Sequence, residues 1–158
     1  MTRGKIVFLV GVVAILTVPA VYLLTHKGIG EPLTAERLAA ARALWARNGP
    51  KYYVLDIDVR DAHHHVEVKD GKVVSMTTDG RKAEERLWKY WSVEGMFQSL
   101  SEELSNLQHP EAPFGVKDPG EVTLRAAFDA KTGYPARFLR YVQGQMRSVE
   151  WTVRLTAR

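Results

Sequence analysis

Nineteen consecutive residues without a charge, IVFLVGVVAILTVPAVYLL at positions 6–24, constrain this chain more than any other stretch. As a helix rising about 1.5 Å per residue they reach roughly 28 Å, close to the thickness of a bilayer's hydrocarbon core. The run is apolar on every side, with Arg3 and Lys5 before it and His26 and Lys27 after it, which fits a membrane span better than a helix of a soluble core. Positive charge in excess at its N-terminal end predicts a cytoplasmic N-terminus and exports the remainder. Val18, Pro19 and Ala20 also resemble a small-residue cleavage site, and cleavage there would make the remainder a secreted domain. The apolar run continues past that point to Leu24, which favours a retained anchor. The expected organisation is a membrane anchor or signal segment over residues 1–27, a linker over 28–33 and one extracytoplasmic domain over 34–158.

With 158 residues there is room for about one domain. The absence of cysteine excludes thiol catalysis, disulfides, iron–sulfur clusters, Cys-ligated zinc and a lipidated cysteine. The net charge of +4 comes mostly from the anchor: Arg3, Lys5 and Lys27 lie in residues 1–27 without an acid, leaving nineteen bases against eighteen acids beyond them. So balanced a domain gives no support to a nucleic-acid partner.

Beyond the linker, Thr34 is a candidate N-cap for a helix through Arg47, with Leu38, Ala41 and Trp45 on one face and Asn48-Gly49-Pro50 as the stop. Tyr53, Leu55, Ile57 and Val59 then alternate with polar residues as a half-buried strand does. Val66 and Val68 carry the apolar side at the opposite parity, so a turn or bulge falls within residues 60–63. Asp70-Gly71 marks a tight hairpin between strands around Val66 and Val73. Ser92 caps a second helix whose Val93, Met96, Phe97, Leu100, Leu104 and Leu107 fall at helical spacing. Residues 109–120, with three prolines, form a loop. Three more strands follow around residues 122–128, 136–143 and 148–155; the middle one has apolar residues at both parities, leaving its buried face open. The fold class is therefore α+β: an antiparallel β-sheet with two amphipathic helices on one face, in the order α-βββ-α-βββ, preceded by an N-terminal transmembrane helix.

The hairpin V-E-V-K-D-G-K-V-V-S at residues 66–75, the S-V-E-G-M-F helix start at Ser92 and the F-D-A-K-T-G-Y-P turn at residues 128–135 follow in that order. Over roughly residues 40–155 the chain thereby resembles the bacterial domain-of-unknown-function family 6174, small secreted or membrane-attached proteins. The family pattern often has cysteines after the first strand and a lipoprotein signal, and this chain has neither. The resemblance implies an envelope location and carries over no catalytic residue.

Candidate chemistry concentrates in His63-His64-His65. On a strand, His63 and His65 project from one face about 6 to 7 Å apart, a spacing that suits two imidazoles on one zinc or copper ion. A third ligand would come from His109, Asp56, Asp58, Asp61 or Glu67, none demanded by spacing. The alternative is a polar strand end at the turn. Trp88, Tyr90 and Trp91 could stack on a sugar or peptide, but Trp91 before the Ser92 cap fits a hydrophobic staple with Met96. Residues 129–135 lack the acid spacing of a calcium loop and form a turn in which Gly133 takes positive φ. Arg137, Arg140, Arg147 and Arg154 could grip an anionic partner or simply discourage edge pairing. No phosphate loop, nucleophile elbow or helical metal motif occurs. These features favour a non-enzymatic, membrane-anchored binding or accessory module of the cell envelope. It needs no cofactor, and its partners are the lipid bilayer, through the N-terminal helix, and an envelope protein. A metal-binding protein or metal-dependent enzyme using His63 and His65 is the alternative.

Overall fold

Thr34 opens the first helix by accepting a hydrogen bond from the Arg37 amide at 3.3 Å, and Gly49 closes it by donating its N–H to the Trp45 carbonyl at 2.7 Å. Between them, α1 (Ala35–Asn48) buries the expected stripe of Leu38, Ala41 and Trp45. The structure, a computed structural model, describes residues 30–108, 118–145 and 148–158. The apolar run at 6–24, and with it the expected membrane helix, lies outside the described residues, as do His109, Arg147 and most of the proline-rich loop.

After α1 the chain forms a meander of β2 (Tyr52–Val59), β3 (Ala62–Lys69) and β4 (Lys72–Thr78). Its turns sit where the parity flip and the Asp-Gly pair predict them: Arg60 takes φ 54°, and Asp70 and Gly71 take φ 50° and 75°. A two-residue strand β5 (Arg81–Lys82) and a single turn α2 (Glu85–Trp88) follow, neither of which carries a periodic pattern. Ser92 then accepts from the Gly95 amide at 3.0 Å to start α3 (Val93–Gln108). A short 3-10 turn at Pro119–Glu121 leads into a second meander, β6 (Val122–Phe128), β7 (Pro135–Val142) and β8 (Val149–Ala157).

The two meanders join through β8 and β2, and every pairing in the sheet is antiparallel. Residues 30–33 depart from the linker expectation. Glu31–Pro32 is β1, paired with Ala126 and Arg125, and Leu33 is buried and donates its amide to the Leu124 carbonyl. The sheet thus has eight strands in the order β1-β6-β7-β8-β2-β3-β4-β5. Among the described residues, this mixed α+β architecture has two short strands, a single-turn helix and a 3-10 turn beyond the order read from the sequence.

Leu55 and Ile57 are fully buried, each contributing about 1.5 to 3 kcal/mol of apolar burial. One continuous core joins them to Val66, Phe138 and Trp151 from the sheet and to Trp45 and Phe97 from the helices, so α1 and α3 cover the same side. The undecided face of β7 follows from its register: Phe138 lies opposite Ala126 and Trp151 and is buried with Val142, while Leu139 and Tyr141 point to the uncovered side.

Candidate functional site

Register splits the histidine triplet. His64 lies opposite Ile57 on the helix-covered side, whereas His63 and His65 lie opposite Asp58 and Asp56 on the uncovered side. Each outward imidazole meets the carboxylate across from it: His63 Nδ1 to Asp58 Oδ1 and His65 Nδ1 to Asp56 Oδ1 are both 2.8 Å. His63 Nε2 also stands 3.6 Å from Asp56 Oδ1. The structure therefore places His63 and His65 on one face, as their spacing predicts, and brings Asp56 and Asp58 to them. Asp61 is in the exposed turn, and Glu67 accepts a hydrogen bond from the Tyr52 hydroxyl. Among the described residues, no three or more His, Asp or Glu side chains stand where they could hold one metal ion. The arrangement is a ladder of imidazole–carboxylate pairs, and with side chains about half exposed each pair contributes at most about 1 kcal/mol.

His64 behaves differently because it is packed. Its ring lies 4.7 Å from that of Trp91, and Nδ1 is 2.8 Å from Thr78 Oγ1. Burial, against the opposing pull of Asp79, lowers its pKa below the ordinary 6.5, and the neighbouring His63 adds to the lowering. The unfolded chain then takes up this proton before the folded one. Its contribution is complete above about pH 6.5 and is lost as pH falls through that value towards the folded-state pKa. Urea midpoints measured from about pH 7 to about pH 5 should fall more steeply for the wild type than for His64→Leu. Equal slopes would remove His64 as their source.

A second candidate place escaped the sequence reading. A cleft of about 680 Å³ opens where the C-terminal half of α1, the first turn of α3 and the Asp70-Gly71 hairpin meet. There the Glu94 carboxylate accepts from the Trp45 indole N–H at 3.0 Å and from the Tyr53 hydroxyl at 3.2 Å, and that hydroxyl accepts from the Val93 amide at 3.2 Å. The only local sign is an acid in the first turn after the Ser92 cap, a position that also favours negative charge. Burial first, and then the charge of Glu94, push the Tyr53 pKa far up, so the hydroxyl stays protonated and donates. Arg42 lies over the Phe97 ring at 5.5 Å, and the Trp45 and Tyr53 rings meet edge to face at 5.3 Å. These groups tie α1, β2 and α3 together at one end of the sheet.

Of the four arginines, the three among the described residues, Arg137, Arg140 and Arg154, do not converge. Arg140 is on the covered side, 2.7 Å from Glu103 of α3, whereas Arg137 pairs with Glu150 at 2.5 Å on the uncovered side. Arg154 is opposite Asp56 on that same side. Residues 129–135 form the expected turn, with Asp129 Oδ1 accepting from the Lys131 and Thr132 amides and Gly133 at φ 84°. Among the described residues no helix is long and apolar enough to cross a membrane. Comparisons with protein families, with curated proteins and with solved structures found no match to this chain.

Proposed function

We propose that the protein is a membrane-anchored extracytoplasmic module that binds a component of the cell envelope and does not act as an enzyme. The observation that carries this reading is the way the chain leaving the apolar run enters the fold. Residues 30–33 are fastened to the sheet edge rather than left as a free leash: Arg125 donates to the Gly30 carbonyl through Nε at 3.0 Å and through its terminal nitrogen at 2.7 Å. Arg37 holds Glu31 at 3.1 Å and also donates to the Pro32 carbonyl. A methyl group on Gly30 would stand 2.6 Å from the Ala126 backbone, so the close approach needs glycine. With the preceding apolar run in a bilayer, such an attachment would restrict how the domain sits over the surface, and this supports the anchored reading.

The polar groups of both candidate places support binding rather than catalysis. Glu94 and Tyr53 hold one another, and Asp56 and Asp58 are each matched to an imidazole. Among the described residues, the sheet face opposite α1 and α3 offers a surface for a partner.

Fractionation of cells expressing the full chain tests the reading. The protein should stay in the membrane pellet after an alkaline carbonate wash, at the full 17.8 kDa. A variant lacking residues 1–29 should move entirely to the soluble fraction. Full-length protein in the soluble fraction would overturn the anchor.

A further inference from the structure

We propose that the arginine-bearing half of the uncovered sheet face, on β6, β7 and β8, rests on the anionic headgroups of the bilayer that the chain's own apolar run spans. The inference rests on the membrane-anchor reading and adds an orientation to it. Its first support is reach. Five residues, Thr25 to Ile29, separate Leu24 from Gly30 at the sheet edge. Fully extended, that stretch covers about 20 Å, of which roughly 6 Å crosses the headgroup layer. The β1 edge is therefore held within about 14 Å of the surface, less than two screening lengths of about 8 Å at physiological salt, and a less extended path brings it closer still.

Charge decides which side turns to the lipid. Outward-facing residues of β6 to β8 include Arg125, Arg137 and Arg154 against Glu150 alone, a net +2. Farther along the same face, β2 to β5 present Asp56, Asp58 and Glu67 against Lys69, Lys72 and Lys82, a net of zero with histidines neutral. At about 4.8 Å per strand, the positive half begins one strand from the tether and the charge-balanced half four strands away. The helices on the other side carry Arg37, Arg42 and Arg47 against Glu36 and Glu102, with Glu94 and Glu103 engaged inside the fold, a net +1 that is weaker than the +2 of β6 to β8. Tyr141, 46% exposed on β7, gives the basic half an aromatic ring of the kind that settles at headgroup depth.

The chain contains no cysteine, so a single introduced thiol reports one position. The test uses the full chain carrying Tyr141→Cys or, at the far end of the same face, Ser75→Cys. Each variant is spin-labelled and reconstituted into nanodiscs of neutral phosphatidylcholine or of a mixture rich in phosphatidylglycerol. In the anionic discs the label at 141 should lose at least about threefold of its collision rate with a water-soluble relaxant, because the nearby arginines draw that face down. The label at 75 should not change, and high salt or Arg154→Glu should restore the rate at 141. Equal accessibility at both positions, in protein that has entered the discs, would overturn the docking and leave the anchor standing. Failure of the full chain to enter the discs would overturn both.

Discussion

Gly133→Ala should destabilise the domain by about 3 kcal/mol or more, because it combines backbone strain with overpacking. Gly133 holds φ +84°, and an added Cβ would stand 2.3 Å from the Ala41 carbonyl oxygen, 3.0 Å from Leu44 Cβ and 3.1 Å from the Trp45 amide. All three belong to α1, and two are backbone atoms that no rotamer change can move. The turn between β6 and β7 is in that way pressed against the helix that covers the sheet. Gly80→Ala is the control: its φ is +77°, but nothing lies within 4 Å of the added atom. Strain alone should cost that variant about 1 kcal/mol. Chemical denaturation of both proteins checks the difference, and equal losses would mean that the turn does not pack on α1 as described.

Arg140→Ala should cost about 2 to 3 kcal/mol, well above an ordinary surface substitution. Arg140 projects from β7 into the covered side, where its guanidinium meets Glu103 at 2.7 Å. The Glu103 side chain is only 18% exposed, and its Oε2 is buried with no hydrogen-bond partner. Removing the arginine takes the nearest positive charge from a carboxylate that water reaches poorly. The loss is placed below the range for fully buried pairs because 27% of the Arg140 side chain still meets solvent. The double variant Arg140→Leu with Glu103→Leu should recover most of the loss, since two apolar side chains there leave no lone charge. A double variant less stable than Arg140→Ala would show that the pair stabilises the fold outright.

What could be read from the sequence follows from how local each signal is. The ends of α1 were legible because Thr34 and Gly49 act within one turn, and the β3–β4 hairpin because Asp70 and Gly71 accept positive φ. That His63 and His65 share a face follows from the two-residue period of any strand. The inward face of β7 was not legible, since Leu139 and Tyr141 are apolar yet point outward. Its register with β6 and β8 decides the matter, and no residue within β7 encodes that. The two-residue strands β1 and β5 are too short to carry a period, so residues 30–33 read as a linker. The cleft at Glu94 depends on contacts with Trp45 and Tyr53, more than forty positions away, which no spacing rule reaches. The central pairing of β8 with β2 is likewise a long-range fact, and it fixes which charges share the uncovered face.

Thiol accessibility in intact cells tests most directly where this domain works. With Ser75→Cys as the sole cysteine of the full chain, a membrane-impermeant maleimide should label the protein in the extracytoplasmic space without lysis, to the same extent as after detergent. Labelling that appears only once the membrane is dissolved would place the sheet in the cytoplasm and contradict the account.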